Sequence, residues 1–315
     1  MQKKILITGG TGFLGKNLSL FLKKKFKVFI SGRNINLGRI VSDQLGINYL
    51  PIDISNFTSS YNVINKIRPS IIIHSAASKY VDVSENFPDE CIDTNVIGSS
   101  NIYKISKLVN CKKLIVISSD KASPPYTTIY GLSKAVMERQ LILNNLKSKM
   151  QMVILRFGNL AWSTGSVFRI WEEMEKSDNL IQTTGPYMTR FFYKVSEASK
   201  LINYVINNTK RFNNSIIIPK LKSARMIDFL KEWKKIKGTK WKIIKKRPMD
   251  KDYESLISNY EMNLTKVVKT NIGQLYQIKN FYDQVLSKKS LNSQNSSKLN
   301  RNEIRDIILN KPKLL

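Results

Sequence analysis

The opening of the chain constrains its fold more than any other stretch. Residues 3–8 form a short apolar run, Gly9-Gly-Thr-Gly-Phe-Leu-Gly15 follows at once, and helical spacing then runs from about residue 14 to 24. A strand, a glycine turn and a helix in this order present bare backbone N–H groups to a phosphate at the helix N-terminus. Gly9 suits the tight turn, Gly12 lets the backbone approach a pyrophosphate, and Gly15 lets the helix pack on the strand. An ordinary strand-to-helix turn does not need glycines at this spacing. The motif predicts a dinucleotide site, with Thr11, Phe13 and Leu14 flanking the phosphates beside the three glycines.

Short apolar runs and helical segments then alternate. Residues 26–31 read as a second strand. An acid at its end would bind the ribose of NAD, but the chain has Ser31-Gly-Arg-Asn34. Arg33 suits the 2′-phosphate of NADP, so NADP is expected, with NAD as the alternative; otherwise Arg33 is one more surface cation. Residues 48–52 form a third strand. Asp53 at its end, with Ile54, could accept from an adenine amino group or close an Asx turn before a helix at 57–67. Residues 71–73 are the fourth strand. The small residues of His74-Ser-Ala-Ala77 allow a cofactor to pass closely at Ala76 and Ala77, and His74 itself reads as a packed strand-end residue. A helix at about 89–109 carries Thr94 and Asn95, and strands follow at 114–117 and 153–155. This order indicates an α/β fold: a Rossmann-type doubly wound parallel sheet with a smaller C-terminal substrate-binding lobe.

The alternation loosens after Arg156. Turns, small polar residues and arginines in RFGNLAWSTGSVFRIW and GPYMTRFF read as substrate-binding structure around the sheet. Helices are expected at 197–207 and 226–235, and a strand at 215–219. Residues 1–155 are thus assigned to the dinucleotide-binding domain, with 190–212 returning to it. Residues 156–189 and 213–286 form the substrate-binding lobe. Residues 287–315 read as a polar linker and a short helix with an Asn cap.

The stretch SSDKASPPYTTIYGLSK, residues 118–134, carries the candidate chemistry. A helix over 127–146 puts Tyr130 and Lys134, four apart, on one face. An ammonium near a phenol favours the phenolate, which makes Tyr130 a candidate acid/base. Ser119, Asp120 and Lys121 lie at the end of the preceding strand. On their own they could equally be a turn with a solvated ion pair.

Composition narrows the classes. With 315 residues the chain can bury a substantial core. No apolar run reaches the length of a membrane span, and the first residues lead directly into a strand, so no signal peptide is expected and a cytoplasmic location is. Cys91 and Cys111 have no CxxC spacing and read as reduced buried thiols. A single histidine argues against a multi-histidine metal site, and no metal is expected. The net charge of +29 is spread along the whole chain in lysines, with no zinc-finger or RNP motif. It reads as compositional bias, and no nucleic-acid partner is expected.

The glycine motif and Tyr130-x-x-x-Lys134 together resemble the extended short-chain dehydrogenases/reductases. HSAASKYVDVSENFPDECIDTNVIGSSNI, SSDKASPPYTTIYGLSK, LRFGNLAWSTGSV and GPYMTRFF narrow this to the soluble 4,6-dehydratases acting on UDP-N-acetylglucosamine in bacterial surface-glycan and flagellin-sugar pathways. The resemblance runs from residue 3 to about 257, and LNSQNSSKLNRNEIRDII is similar to that family's C-terminal segment. Asp120-Lys121 after Ser119 is its most specific element. The chain departs from the family pattern at the spacing from Ser119 to Tyr130, in the loop after Asn159, and at Arg247-Pro-Met-Asp-Lys251.

The resemblance implies a UDP-sugar substrate and a homo-oligomer. Ser119 and Tyr130 would handle the C4 hydroxyl, Lys134 would hold the tyrosine and the ribose, Lys121 would remove the C5 proton, and Asp120 would protonate the departing C6 hydroxyl. Substrate contacts would come from Lys79, Asn159, Ser166, Arg190 and Arg247. Tyr130, where membrane-anchored relatives tend to have methionine, implies the C5-inverting kind. The first rival is a UDP-sugar 4-epimerase, which would use Tyr130 but neither Asp120 nor Lys121. The second is a non-catalytic NADP-binding or nucleic-acid-associated protein.

Overall fold

The run KILIT shows no polar alternation, as suits a strand covered on both faces of a parallel sheet. The computed structural model describes residues 2–245, 251–279 and 290–314. β1 (Lys4–Thr8) leads into α1 (Phe13–Leu22), β2 (Lys27–Gly32), α2 (Ile35–Leu45), β3 (Asn48–Pro51), α3 (Phe57–Ile67) and β4 (Ile71–His74). Then come α4 (Val81–Asn86), α5 (Pro88–Ile92), a π-helical turn (Asp93–Ile97), α6 (Gly98–Leu108), β5 (Lys113–Ser119), a 3₁₀ turn (Asp120–Ala122), α7 (Ile129–Asn145) and β6 (Gln151–Phe157). The second half adds β7 (Asn159–Leu160), α8 (Val167–Asp178), β8 (Leu180–Thr183), β9 (Thr189–Tyr193), α9 (Val195–Asn207), β10 (Ser215–Pro219) and β11 (Ser223–Arg225). It ends with α10 (Met226–Lys237), β12 (Lys240–Ile243), β13 (Ser255–Ile257), α11 (Asn259–Asn263), β14 (Thr265–Thr270), β15 (Gly273–Ile278), β16 (Leu291–Asn292) and α12 (Arg301–Leu309).

The main sheet has the order β14-β15-β10-β6-β5-β4-β1-β2-β3. From β3 to β10 the neighbours are parallel, and the hairpin β14–β15 closes the other edge antiparallel. The period of two sorts the strand side chains between two cores. Ile5, Ile7, Ile73, Ile115, Val153 and Leu155 face α1 and α9. Leu6, Ile72, Leu114, Val116, Met152 and Ile154 face α3, α6 and α7. Each fully buried aliphatic side chain contributes roughly 1.5–3 kcal/mol. Three small sheets, β11-β9-β7, β12-β8 and β13-β16, stand outside the main one. No helix among the described residues is long and apolar enough to cross a membrane.

The structure departs from the sequence expectations in four places. Strand β10, placed by sequence in the substrate lobe, lies in the main sheet, because SIIIP is buried throughout and pairs with β6; β14 and β15 join it there. The helix expected at 89–109 is interrupted by the π-helical turn, which turns the buried Asn95 amide onto Ser78 and Ser133. Helix α8 forms in a region read from sequence only as substrate-binding structure rich in turns, with no helix expected there. The tail expected to be a linker is held down where it is described. Ser293 is buried and bonded to Thr189, Ser223 and Glu254, and Lys298 donates to Ser223 and to two carbonyls.

One charged cluster joins the sheet to the lobe. Arg156, on β6, is fully buried. Its Nε and Nη2 donate to Glu138 of α7 at 3.1 and 2.6 Å. Its Nη1 and Nη2 donate to Glu261 of α11 at 3.1 and 2.8 Å, and Nη1 also donates to the Leu256 carbonyl of β13 at 2.8 Å. All five guanidinium donors therefore have acceptors. Burial pushes the Glu261 carboxyl up, but the Arg156 charge and the bonds from Ser258 and Ser123 outweigh it and hold it low. Arg156→Met would leave two carboxylates buried without their cation. It is expected to cost about 3–5 kcal/mol of unfolding free energy, read from the urea midpoint. An unchanged midpoint would contradict this role.

Candidate active site

The carboxyl ends of the parallel strands open into a cleft of about 720 Å³, the place where open α/β sheets bind ligands. At one end lies the glycine turn. Gly9 has φ +68°, and a Cβ there would come within 2.7 Å of the Ala76 backbone, so the turn and the loop after β4 touch. Helix α1 starts after Gly12 with no side-chain cap and no acid in its first turn, which leaves its N–H groups for an anion. Thr11, Phe13, Leu14, Gly15, Ile54, Ala76 and Ala77 line the same end.

The two polar groups expected to recognise adenosine are engaged within the protein. Asp53 closes an Asx turn, accepting from Ser55 N at 3.0 Å and Ser55 Oγ at 2.7 Å. Arg33 is more than half exposed and pairs with Glu90 at 3.3 Å. Both still line the cleft. Ser31, at the end of β2, is buried, and its Oγ makes no hydrogen bond among the described residues. His74 is packed, with Nδ1 against Thr8 Oγ1 at 2.7 Å and Nε2 against Ser99 Oγ at 2.9 Å. Burial, then the Lys134 charge, bring its pKa down to about 3, so it is neutral.

The reactive groups sit at the middle of the cleft. Thr128 caps α7 by accepting from Gly131 N, which sets Tyr130 and Lys134 in the first turns, both buried and both facing the cleft. Lys134 Nζ donates to the Ile117 carbonyl at 2.8 Å. Burial brings its pKa down to about 8, against the opposing charge of Glu138. The sequence predicted a lowered tyrosine pKa; the structure reverses this. Burial raises the Tyr130 phenol, and the Ser119 hydroxyl and Lys121 charge offset it only in part. The lysine charge that offsets part of the burial is that of Lys121.

Asp120 and Lys121 occupy the 3₁₀ turn after β5. Gly131 lets that turn approach α7, because a Cβ there would lie 2.6 Å from the Lys121 carbonyl. Asp120 is buried. Its Oδ1 accepts from Ser119 Oγ at 3.0 Å and from Lys121 Nζ at 3.3 Å, while its Oδ2 makes no hydrogen bond among the described residues. Burial draws the Lys121 pKa down, but Asp120, Glu254 and Tyr130 outweigh it and hold the ammonium form well above the usual lysine range. The resting pair is a largely buried ion pair rather than a solvated one.

The remaining predicted contacts are spread along the same cleft. Lys79 Nζ donates to the Thr164 carbonyl, and burial and Arg169 lower its pKa. Asn159 donates to the Phe191 carbonyl. Ser166 precedes α8 with its Oγ unbonded among the described residues. Arg190 donates to the Thr189 and Lys251 carbonyls. Arg247 lies outside the described residues. Sequence reasoning missed Glu254, whose Oε1 lies 3.5 Å from Lys121 Nζ and 3.9 Å from Arg190 Nε. No local motif marks it, since tertiary packing alone brings it to the turn.

The sequence profile of the polysaccharide biosynthesis protein family matches residues 5–279. The chain belongs to that family. Its fold is that of the extended short-chain dehydrogenases/reductases. A curated member-like relative is a Rickettsia bellii protein named UDP-glucose 4-epimerase, 29% identical, with 98% of this chain and 96% of that protein covered. Among solved structures, Pen from Bacillus thuringiensis is similar at a TM-score of 0.86 and 27% identity, covering 100% of this chain and 98% of that one. A UDP-glucose 4-epimerase from Bifidobacterium longum, solved with NAD+ and UDP, has a TM-score of 0.69 at 19% identity, covering 79% and 88%.

Proposed function

We propose that this polysaccharide biosynthesis family protein dehydrates UDP-N-acetylglucosamine to a UDP-4-keto-6-deoxy-HexNAc with inversion at C5, using NADP. The carrying observation is the Asp120–Lys121 ion pair beside Tyr130, with one Asp120 oxygen buried and unbonded among the described residues. A buried acceptor without a partner is costly, and a substrate hydroxyl would satisfy it. Epimerisation at C4 needs the tyrosine but gives no work to this pair.

The glycine turn, the bare α1 N-terminus and the unbonded Ser31 hydroxyl fit a dinucleotide. When bound, the nicotinamide supplies an acceptor for the C4 hydride and its return to C6. Tyr130 rests as a phenol, so it first gives its own proton to solvent, with Ser119 and the Lys121 charge favouring the phenolate; it then takes the C4 hydroxyl proton. The ketone so formed at C4 acidifies the C5 proton. Lys121 rests as an ammonium and cannot take that proton until it has lost its own. Asp120 is the acceptor at hand, at 3.3 Å. One proton shift from Lys121 to Asp120 makes the amine a base and the carboxyl an acid together, as coupled groups allow. Lys121 then takes the C5 proton, the C5–H electron pair forms the C5=C6 bond as C6–O breaks, and Asp120 protonates the leaving hydroxyl, which departs as water. The step returns the pair to its resting ions. After hydride returns to C6, C5 takes a proton from solvent.

A second reading, a UDP-sugar 4-epimerase, is favoured by the name of the Rickettsia bellii relative. Incubation with UDP-N-acetylglucosamine separates the two: the dehydratase gives a ketone lighter by one water, the epimerase an isobaric alcohol. Tyr130→Phe is expected to keep the fold and the bound cofactor and to lose roughly 10²–10⁴ in turnover; full turnover would remove Tyr130 from the chemistry. The NADP assignment rests on Arg33 and the lack of an acid at the end of β2. A charge-assisted bond to the 2′-phosphate contributes roughly 1.5–3 kcal/mol. NADP+ is therefore expected to bind more tightly than NAD+, with the preference reduced in Arg33→Ala. Equal affinities in the parent protein would contradict it.

A further inference from the structure

Glu254 is a second carboxylate at a lysine that already has one. It is buried, and its backbone is clamped on both sides by Ser293, whose hydroxyl accepts from Glu254 N at 3.0 Å and whose N–H donates to Glu254 O at 2.8 Å. Two residues on, the Leu256 carbonyl is held by Arg156. The carboxylate therefore does not drift to Lys121 as a surface side chain might; the backbone delivers it. Around Lys121 Nζ stand Asp120 from the 3₁₀ turn, Glu254 from the segment before β13, Arg190 from β9 and Tyr130 from α7. With Asp120 and Glu254 ionised, the two carboxylates balance Lys121 and Arg190, so the quartet is neutral.

Resting on the dehydratase reading, we propose that Glu254 is a positioning residue that keeps the shared proton on the Asp120–Lys121 pair. The pair works only with one proton to pass between its members. With none, Lys121 is an amine but Asp120 has nothing to give the leaving hydroxyl. Glu254 stabilises the ammonium by its charge, and Arg190 Nε, 3.9 Å from the same Oε1, keeps it directed at the cleft. As Lys121 takes up the C5 proton, the same carboxylate faces the positive charge that develops.

The sign of the pH effect follows. Loss of the pair's proton sets the alkaline limb of the elimination rate. An opposite charge within about 4–6 Å shifts a pKa by roughly 1–3 units, so Glu254→Gln lowers the Lys121 pKa and moves the alkaline limb to lower pH by about that amount. The test is single-turnover water loss from C5-deuterated UDP-N-acetylglucosamine with bound NADP+, followed from pH 6 to 10 in the parent, Glu254→Gln, Glu254→Asp and Lys121→Ala proteins. The expected result is a parent rate flat to high pH, an alkaline fall brought into range by Glu254→Gln, and a limb returned toward the parent's by Glu254→Asp. A Glu254→Gln rate scaled down equally at every pH would mean a merely structural role and overturn the proposal. The underlying reading fails separately, if the parent releases no water or Lys121→Ala releases it at full rate.

Discussion

The buried Arg156 guanidinium is the interaction on which the working geometry depends. It lies on a central strand, and its five bonds reach α7, α11 and β13. Glu261, held by those bonds, accepts in turn from Ser123 just past the 3₁₀ turn. One side chain thus ties together the helix carrying Tyr130 and Lys134, the turn carrying Asp120 and Lys121, and the strand that follows Glu254. Such a cluster is a poor source of net stability compared with an apolar core. Its value here is register. The turn and α7 must meet, at one lysine, a segment more than a hundred residues further along the chain, and a planar five-donor group fixes their relative positions better than packing of aliphatic side chains would.

The charge on that cluster reaches the cofactor end. Lys134 lies one turn along α7 from Glu138, whose carboxyl is pushed up by burial against the pull of the Arg156 charge. Burial draws Lys134 toward neutrality while Glu138 holds its proton on. Gly131 completes the arrangement, because only a residue without a Cβ lets the turn sit against α7.

What the sequence made legible was local. The apolar run after Lys4, the glycine spacing, the cap at Asn300 and the Tyr130–Lys134 periodicity each follow from neighbours along the chain. What it hid was set by distant contacts. SIIIP reads as a strand, but nothing in it says which sheet it joins. The Ser/Asn/Lys composition of 290–298 reads as a linker because hydroxyls and amides are polar, yet Ser293 and Ser296 are buried in bonds to Ser223 and its neighbours. Glu254 sits in an unremarkable KDYESL, and its role exists only once β13 is docked. The direction of the Tyr130 shift depended on burial, which a helical wheel does not report.

The account turns on Lys121 and Asp120 breaking the C5–H and C6–O bonds. The most direct measurement is turnover of UDP-N-acetylglucosamine carrying deuterium at C4, run in ordinary water, alongside unlabelled substrate run in deuterated water. The account predicts that the C4 label appears at C6, that solvent deuterium appears at C5, that the product is a 4-ketone with no net consumption of added NADP, and that Lys121→Ala abolishes the C5 label. A 4-hydroxy epimer that keeps its C4 label, takes up none from solvent, and forms equally well in Lys121→Ala would contradict it.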